Sequence, residues 1–591
     1  MCQRGTKEED RMRRLFLVSM VFLLGMATAA NAQSTSLDGL IAEYETFAQM
    51  SDPDAKAQAT DTEPRSWADV TPEAISQRAA IAADILARVE QLEDPGPGPE
   101  TAILRHLLQQ AIDAHQFDTA RIPLSGDWGF FSEPAYAARQ TRISNREDAE
   151  AWIARLNDIP RYFAESKDNM RRGMATGWTA HSDPLATSIN QVREQIYNNV
   201  EETPLFAPLL SLPSDMNLNE VSLLQTRGRV AASNAIASYR ALLIFLETEY
   251  APLSRPGAGI GSLPGGLAAY DAAIVNYTAG SGYSVEDVHE IGKQEVARIR
   301  AAMEGIIQEL EFEGSFEDFT NFLRTDPQFY AQTPEELLEK AAEMSKRLDA
   351  MLPRYFSVLP RLTYGVEAVP ADIAPGYTTG RYASGDLKRG FAGTYLVNTY
   401  ALDQRPLYEL PALSAHEAVP GHHLQISLAR EQDGVSEFRK SYYATAFGEG
   451  WGLYAEKLAG EAGIYRTPYE RFGQLSYEMW RACRLVADTG LHAYGWTREQ
   501  AEACFTDNTA LAPLNIQTEV TRYIGWPGQA TAYKVGELKI LDLRAMAKDT
   551  LGENFDIRAF HDHLLGAGAM PLDALEARMT AWVRETERTI P

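Results

Sequence analysis

Hydrophobic residues recur at spacings of three and four along most of the chain, which is the period of amphipathic helices. The pattern is clearest over residues 79–92 and 220–250, and Pro and Gly mark the breaks between helical segments. Between residues 360 and 400 the helical period fades, and residues 394–399 have the pattern of a β-strand. After Leu407 the pattern is helical nearly to the end. We therefore predict a mainly α fold with one small β-sheet near residues 360–400.

Two of the predicted helices have N-terminal capping signals. Ser284 stands three residues before Asp287, and Thr333 stands three residues before Glu336. The side chain of a Ser or Thr in this position accepts a hydrogen bond from a backbone N–H of the first turn. The carboxylate of the acid can in turn accept a hydrogen bond from the backbone N–H of the Ser or Thr. These signals predict helices that start after Ser284 and after Thr333.

The N-terminus has the pattern of a secretory signal peptide. Basic residues at 13 and 14 precede an apolar run of twelve residues, and Ala30 and Ala32 are small residues where a signal peptidase needs them. The apolar run is too short for a membrane span. We predict that residues 1–32 are a signal peptide with its true start at Met12, cleaved near Ala32. The mature protein is then periplasmic or secreted, without a membrane anchor.

The mature chain divides at a segment rich in Pro and Gly, residues 255–266. We predict an N-terminal helical region over residues 33–255 and a helical catalytic region over residues 256–591, which together form one continuous fold. The mature chain keeps two cysteines, Cys483 and Cys504. In an oxidising compartment they could form a disulfide or remain buried free thiols, and the sequence leaves both alternatives open.

The charge balance excludes some partners. The formal net charge is −26, from 55 Lys and Arg against 81 Asp and Glu. Nucleic acids and anionic membranes bind concentrated positive charge, so neither is an expected partner.

The candidate chemistry lies in a histidine cluster, residues 416–425, which reads HEAVPGHHLQ. Glu449 follows one predicted helix later, between two glycines. Two imidazoles and a carboxylate with one open position form the ligand set of a catalytic zinc ion. We predict Zn²⁺ bound by His416, His422 and Glu449, with Glu417 as the general base that activates the zinc-bound water.

The spacing of these histidines requires a break in the helix. On an unbroken helix His416 and His423 would lie about 10 Å apart along the axis, and His416 and His422 would face different ways. Pro420 removes a helical hydrogen bond, and Gly421 tolerates unusual backbone angles. A kink there could bring His422 back toward His416, so His422 is the predicted ligand and His423 is the alternative.

Other residues could complete the chemistry of peptide hydrolysis, which builds negative charge on the carbonyl oxygen. Tyr533 or Tyr523 could donate a hydrogen bond to this oxyanion, and Arg522 could bind a substrate carboxylate. His492 lies one turn after Asp488, so the two side chains could form a hydrogen bond and His492 could act as a donor. Structural roles in the core are the alternative for all of them.

The predicted strand suggests how a substrate binds. An edge strand beside a zinc helix can add an extended peptide through main-chain hydrogen bonds. Tyr395 on this strand, and Tyr382 in the Gly- and Tyr-containing segment 376–390, are the predicted substrate contacts. The segment itself is expected to be a mobile lip of the cleft.

These motifs together resemble the bacterial "domain of unknown function 885" family. The resemblance spans nearly all of the mature chain, and it is carried by the segments 416–425, 263–277, 448–451, 488–492 and 522–530. It implies a two-lobed, zincin-like helical fold with a deep central cleft, similar to thimet-type and carboxypeptidase-type helical peptidases. The chain departs from those peptidases because it lacks their five-residue His-Glu…His spacing.

We therefore expect an exported, zinc-dependent peptidase that acts on short peptides. Whether it removes C-terminal residues or cleaves internally is left open by the sequence. The alternatives are a zinc amidase acting on cell-wall or other amides, and a catalytically inactive binding protein of the same fold.

Overall fold

The structure is a computed structural model that describes residues 36–589, except residues 94, 95, 97, 372, 388 and 389. The predicted signal peptide and its cleavage site lie outside the described residues. Over the described part the chain is mainly helical with one small β-sheet, which confirms the predicted fold class.

Helices are numbered in chain order. Those that precede the sheet are α1 (Leu37–Ser51), α2 (Pro53–Thr60), α3 (Pro72–Val89), α4 (Glu100–Gln116), α5 (Glu133–Gln140), α6 (Arg146–Thr176), α7 (Ser182–Glu194), α8 (Leu218–Phe245), α9 (Gly266–Thr278), α10 (Val285–Glu309), α11 (Phe316–Thr325), α12 (Pro334–Asp349) and α13 (Leu352–Tyr355). Those that follow it are α14 (Leu410–Glu417), α15 (His422–Arg430), α16 (Glu437–Ser441), α17 (Thr445–Glu461), α18 (Pro468–His492), α19 (Arg498–Asn508), α20 (Pro513–Gly525), α21 (Ala532–Leu551), α22 (Ile557–Leu565) and α23 (Leu572–Thr589).

The two predicted caps are present. Ser284 and Asp287 form a reciprocal capping box at the start of α10. The Thr333 side chain accepts a hydrogen bond from the Glu336 amide at the start of α12. Both helices begin where the local signal places them, because a cap satisfies N–H groups that have no partner inside the helix.

Among the described residues, the buried hydrophobic side chains form three clusters. One lies within the N-terminal half and is built around α6 and α8. A second combines α3 and α4 with α17, α21 and α23, so it joins the two ends of the chain. The third joins α10, the sheet, α14 and α18. The long helices α10 and α18 pack along each other, as do α17 and α21, and these pairs hold the region in which the histidine cluster lies.

The sheet has three strands, β1 (Tyr364–Ala368), β2 (Gly380–Ala383) and β3 (Gly393–Val397). Their order is β1-β3-β2, with β1 parallel and β2 antiparallel to β3. The predicted strand is therefore present, but the prediction that it lies at an edge is wrong. Both sides of β3 are paired, because part of the segment expected to be a mobile lip forms the strand β2.

Two further features connect the regions. The Arg255 guanidinium donates to the carbonyls of Thr179, Ala258 and Ile524, so the segment between the two predicted regions is tied to both. Cys483 on α18 and Cys504 on α19 form a disulfide, which decides between the two alternatives for this pair.

Among the described residues, one helical segment, Leu218–Leu253, has the length and apolar composition that could cross a membrane. In the structure this segment packs along α6 as part of the N-terminal core.

Candidate metal centre

The histidine cluster is divided between two helices that meet at a sharp turn. Helix α14 ends at Glu417 and α15 begins at His422, and the Val419–Pro420 peptide bond between them is cis. A side chain on Gly421 would overlap the carbonyl oxygen of His416, so this position requires glycine. The Trp451 indole donates to the Pro420 carbonyl at 2.7 Å and ties the turn to α17.

The turn brings the two predicted histidine ligands together. The ring centroids of His416 and His422 lie 4.7 Å apart, and the ring planes are nearly perpendicular at 87°. This is the arrangement that the Pro420-Gly421 pair predicts, because a continuous helix would have separated the two rings.

Glu449 reaches the same point from α17. Its Oε2 lies 3.3 Å from Nε2 of His416 and 3.3 Å from Nε2 of His422. Glycines allow this close approach: Gly450 lies against the backbone of Gly536 on α21, and Gly452 faces the His416 ring. Ligand atoms of the two histidines and Glu449 all lie within 4.8 Å of one another.

These distances are compatible with three ligands around one zinc ion. Zinc holds its N and O ligands at about 2.0–2.2 Å, and a tetrahedral arrangement then places two ligand atoms about 3.3–3.5 Å apart. Hydrogen bonds between a charged imidazole and a carboxylate are usually shorter, about 2.7–2.9 Å. The two separations of 3.3 Å therefore match the spacing of ligands around one ion.

A second carboxylate orients the first histidine. Glu456, which is fully buried, lies 2.8 Å from Nδ1 of His416, and Arg481 lies 3.2 Å from the same carboxylate oxygen. A histidine that donates its Nδ1 proton to a carboxylate presents Nε2 as the ligand, and such partners orient metal-binding histidines in many proteins.

The electrostatics of this cluster favour a positive charge. Burial opposes protonation of His416, but its hydrogen bonds to Glu449 and Glu456 and the charge of Glu417 raise its pKa to about 10. Burial also acts to raise the pKa of Glu449, and the neighbouring histidines outweigh it and hold that pKa well below its usual range.

Glu417, the predicted general base, is adjacent to His416 and is 9% exposed. Its Oε2 accepts a hydrogen bond of 2.8 Å from the Tyr382 amide on β2. The outer edge of β2 therefore faces the histidine cluster and holds one oxygen of this carboxylate.

His423 points away from the cluster. Its Nε2 donates to the Leu362 carbonyl at 3.1 Å, and its Nδ1 lies 3.0 Å from the Tyr382 hydroxyl. Burial lowers the pKa of His423 to about 4, so the ring is neutral. Between the two histidines that the sequence left as alternatives, the structure places His422 with His416 and Glu449.

Tyr533 and Arg522 lie beside the cluster. The Tyr533 ring stacks against His416 with 6.4 Å between centroids. Arg522 Nη2 donates to Gln529 Oε1 at 2.7 Å and lies 3.5 Å from the Tyr533 hydroxyl.

Tyr523, His492 and Tyr395 have buried partners elsewhere. The Tyr523 hydroxyl donates to Glu519 and accepts from Trp480 and Arg484. His492 accepts from the Ile260 amide and donates to the Tyr523 carbonyl. Tyr395 is fully buried on β3, where its hydroxyl accepts from Ser414.

Asp488 does not pair with His492 as their one-turn spacing allows. Its Oδ1 accepts from the Tyr270 hydroxyl at 2.6 Å and from the Gly528 amide at 2.9 Å. Helical spacing therefore places the two residues next to each other, but each side chain forms its hydrogen bonds with residues from other parts of the chain.

Sequence reasoning missed Glu456 and Tyr443. Glu456 lies seven residues after Glu449, and this spacing on one helix face is a signal that could have identified it. Tyr443 precedes α17, and its ring lies against Gly448, next to Glu449, with 44% of the residue exposed. No local pattern distinguishes this tyrosine from others on the surface.

Comparison with known proteins identifies the family. Residues 53–579 match the family described as "Bacterial protein of unknown function (DUF885)". The chain belongs to the DUF885 family. This match confirms the resemblance that the motifs indicate, and the description of DUF885 names no activity. No match was found among curated proteins.

Two solved structures share the fold of this DUF885 protein. The first, described as "the putative lipoprotein from Colwellia psychrerythraea", is 26% identical with a TM-score of 0.84, over 93% of this chain and 100% of that one. The second, described as "a putative lipoprotein of unknown function from Shewanella oneidensis", is 18% identical with a TM-score of 0.66, over 87% of this chain and 94% of that one.

Proposed function

We propose that this protein is an exported zinc-dependent peptidase of short peptides, with a two-lobed zincin-like fold and a central cleft. The observation that carries the proposal is the convergence of His416, His422 and Glu449 at ligand spacing, with Glu417 beside them. The buried Glu456 behind His416 supports it, since such partners orient metal-binding histidines.

Each of these side chains has a role in peptide hydrolysis. A zinc ion held by the three ligands would supply a Lewis acid and a nucleophilic water at neutral pH. Glu417 accepts the proton of the attacking water and passes it to the leaving amine. Its Oε2 is fixed by the Tyr382 amide, which orients the carboxylate for this transfer.

Tyr533 is the best placed of the predicted oxyanion donors. Its ring stacks on His416, the residue is 8% exposed, and its hydroxyl lies 3.5 Å from Arg522 Nη2. A phenol aimed at the developing oxyanion stabilises the transition state more than the substrate.

Export is supported by two observations. The N-terminal sequence has the pattern of a signal peptide, and the similar protein from Colwellia psychrerythraea is described as a "putative lipoprotein". We propose that the mature chain acts in the periplasm or outside the cell.

The test is Glu417→Gln in zinc-saturated mature protein, assayed on a library of short peptides by mass spectrometry. Loss of the general base should lower kcat/KM by about 10²–10⁴-fold while the zinc content stays unchanged. Glu437→Gln, on the exposed start of α16, is the matched control and should keep full activity. If the zinc-saturated wild type cleaves no peptide, or if Glu417→Gln cleaves as fast, the proposal is wrong.

A further inference from the structure

A buried group of three charges lies beside Tyr533: the guanidinium groups of Arg484 and Arg522 and the carboxylate of Glu519. Glu519 Oε2 lies 2.9 Å from Arg484 Nη2 and 3.6 Å from Arg522 Nη1. It also accepts from the Tyr523 hydroxyl at 2.8 Å. The single carboxylate is therefore committed mainly to Arg484.

Arg522 keeps a positive charge that its other partners do not neutralise. Gln529 Oε1 and the Tyr533 hydroxyl, its other acceptors, are uncharged. Within the part of the chain that the structure describes, Arg522 Nε and Arg484 Nη1 have no hydrogen-bond partner although both atoms are buried. The two guanidinium groups share one carboxylate, so the group carries one excess positive charge, which a bound anion would offset.

Asp488 interacts with the charge of Arg522 but makes no hydrogen bond to it, and within the described residues its Oδ2 has no hydrogen-bond partner. Its Oδ1 is held by Tyr270 and by the Gly528 amide. The Arg522 side chain, in contrast, is 17% exposed, whereas that of Arg484 is 3% exposed. Arg522 is thus the guanidinium that a ligand can reach. Arg484 is more deeply buried and forms the shorter ion pair with Glu519.

The position of Arg522 relative to the metal centre defines the anion. Tyr533 bridges the two, because its ring stacks on His416 and its hydroxyl is 3.5 Å from Arg522 Nη2. A substrate whose scissile bond lies at the metal centre would extend past Tyr533 toward this guanidinium. In a peptide substrate the anion one residue beyond the last peptide bond is the terminal α-carboxylate.

We infer that Arg522 binds the free α-carboxylate of the substrate's last residue, and that the protein removes single C-terminal residues. A guanidinium fork matches a carboxylate with two parallel hydrogen bonds. Arg484 and Gln529 are positioning residues, which withdraw Glu519 and orient the fork. This inference rests on the proposed peptidase function and names its substrate class.

The experiment compares pairs of N-acetyl dipeptides that differ only in a C-terminal carboxylate or carboxamide, with Ala, Leu, Phe and Lys as the last residue. The wild type should hydrolyse the acids with a kcat/KM about 10–100-fold above that of the amides, the range expected for charged hydrogen bonds. Arg522→Met should abolish the preference, so that the variant hydrolyses acids and amides with the same kcat/KM. Arg522→Lys should recover part of the preference, because it keeps the charge without the fork.

The matched control is Arg471→Met, which removes a surface arginine whose side chain is 43% exposed and pairs with Glu309. It should keep the preference for acids. A wild type that cleaves acids and amides equally, or an Arg522→Met variant that loses activity on both by the same factor, overturns the inference and leaves the peptidase proposal intact.

A binding measurement distinguishes failure of the proposed carboxylate site from failure of the proposed peptidase function. Calorimetry on metal-free wild type and Arg522→Met should show that N-acetyl amino acids bind the wild type about tenfold more tightly than their carboxamides, and that the variant loses this difference. Acid-selective binding without hydrolysis of any peptide by the zinc-saturated protein would refute the peptidase proposal, and with it the removal of C-terminal residues. Equal binding of acids and amides, or binding of neither, overturns the carboxylate site.

Discussion

The candidate metal centre at His416 and the region around His492 both contain a buried histidine close to carboxylates in sequence or space. At His416, one nitrogen faces the buried Glu456 and the other faces Glu449. At His492, the two nitrogens face a backbone amide and a backbone carbonyl, and the nearby Asp488 has other partners.

The difference lies in the hydrogen-bond partners of the two rings, and on our proposal these partners decide which histidine binds a metal. A histidine with a carboxylate on one nitrogen presents the other as a basic ligand, and acidic neighbours favour a cation. A histidine between two backbone groups has a hydrogen bond on each ring nitrogen, so neither nitrogen is available to a metal. Its hydrogen bonds connect the loop and the helix that it contacts. Burial lowers the pKa of His492 to about 3, whereas the carboxylates around His416 raise its pKa to about 10 despite equal burial.

The largest expected difference between the two regions is in how the loss of a buried carboxylate changes zinc affinity. Glu456→Gln should weaken zinc binding by about 10–100-fold, because the amide no longer polarises and orients His416. Competition with a chelator of known zinc affinity measures the Kd. The matched variant Asp488→Asn changes a buried carboxylate of the second region and should leave the zinc Kd unchanged; an equal loss in both variants would mean that the two regions do not differ in this way.

A smaller effect is expected from the glycine that faces the first histidine. A Cβ on Gly452 would lie 2.6 Å from Cε1 and 2.8 Å from Nε2 of His416, so Gly452→Ala must displace the ligand ring. We expect zinc affinity to fall on the order of tenfold, the lower end of the range for residues that orient ligands. Gly305→Ala, in α10 with nothing within 4 Å of the added methyl, is the control and should bind zinc like the wild type. Unchanged affinity in Gly452→Ala would show that the His416 ring is not a ligand in this orientation.

The smallest expected effect concerns the pH dependence of stability in the second region. Burial, with the charge of Arg255, lowers the pKa of His492 to about 3 from its usual value of 6.5. As the pH falls, His492 is protonated near pH 6.5 in the unfolded chain but only near pH 3 in the folded chain. The neutral ring therefore contributes fully to the stability of the folded state above pH 6.5, and this contribution is lost as the pH falls toward 3. Between pH 7 and 5.5 the loss from this group is about 1 kcal/mol.

Urea unfolding of the metal-free protein at these two pH values tests this expectation. His492→Gln should reduce the difference in free energy of unfolding between pH 7 and 5.5 by about 1 kcal/mol. The exposed His115→Gln is the control and should leave the difference unchanged. If His492→Gln left it unchanged as well, His492 would be protonated in the folded protein.

Local signals explain which parts of the structure the sequence could predict. The caps at Ser284 and Thr333, and the break at Pro420-Gly421, depend on residues within one turn of one another. The mainly helical class and the presence of one sheet follow from the same short-range periodicity. For this reason the return of His422 toward His416 could be predicted, whereas Glu449, on another helix, was added because a carboxylate completes the ligand set of a zinc ion.

Features that depend on distant partners could not be predicted in this way. The order β1-β3-β2 places the predicted edge strand in the middle, because a strand that precedes it in sequence pairs on its other side. His492 and Tyr523 had suitable chemistry, but their partners come from the loop at Ile260 and from α18. The relation between Arg484, Glu519 and Arg522 is equally non-local, since it joins α18 and α20.

The most direct test of the account is the zinc content of purified mature protein, measured by mass spectrometry of the metal for wild type, His422→Ala and His423→Ala. We expect close to one zinc ion per chain in the wild type and in His423→Ala, and loss of the ion only in His422→Ala, because His422 faces Glu449 and His423 bonds to Leu362 and Tyr382. Loss of zinc only in His423→Ala, or no zinc in any of the three proteins after zinc is supplied, would contradict the account.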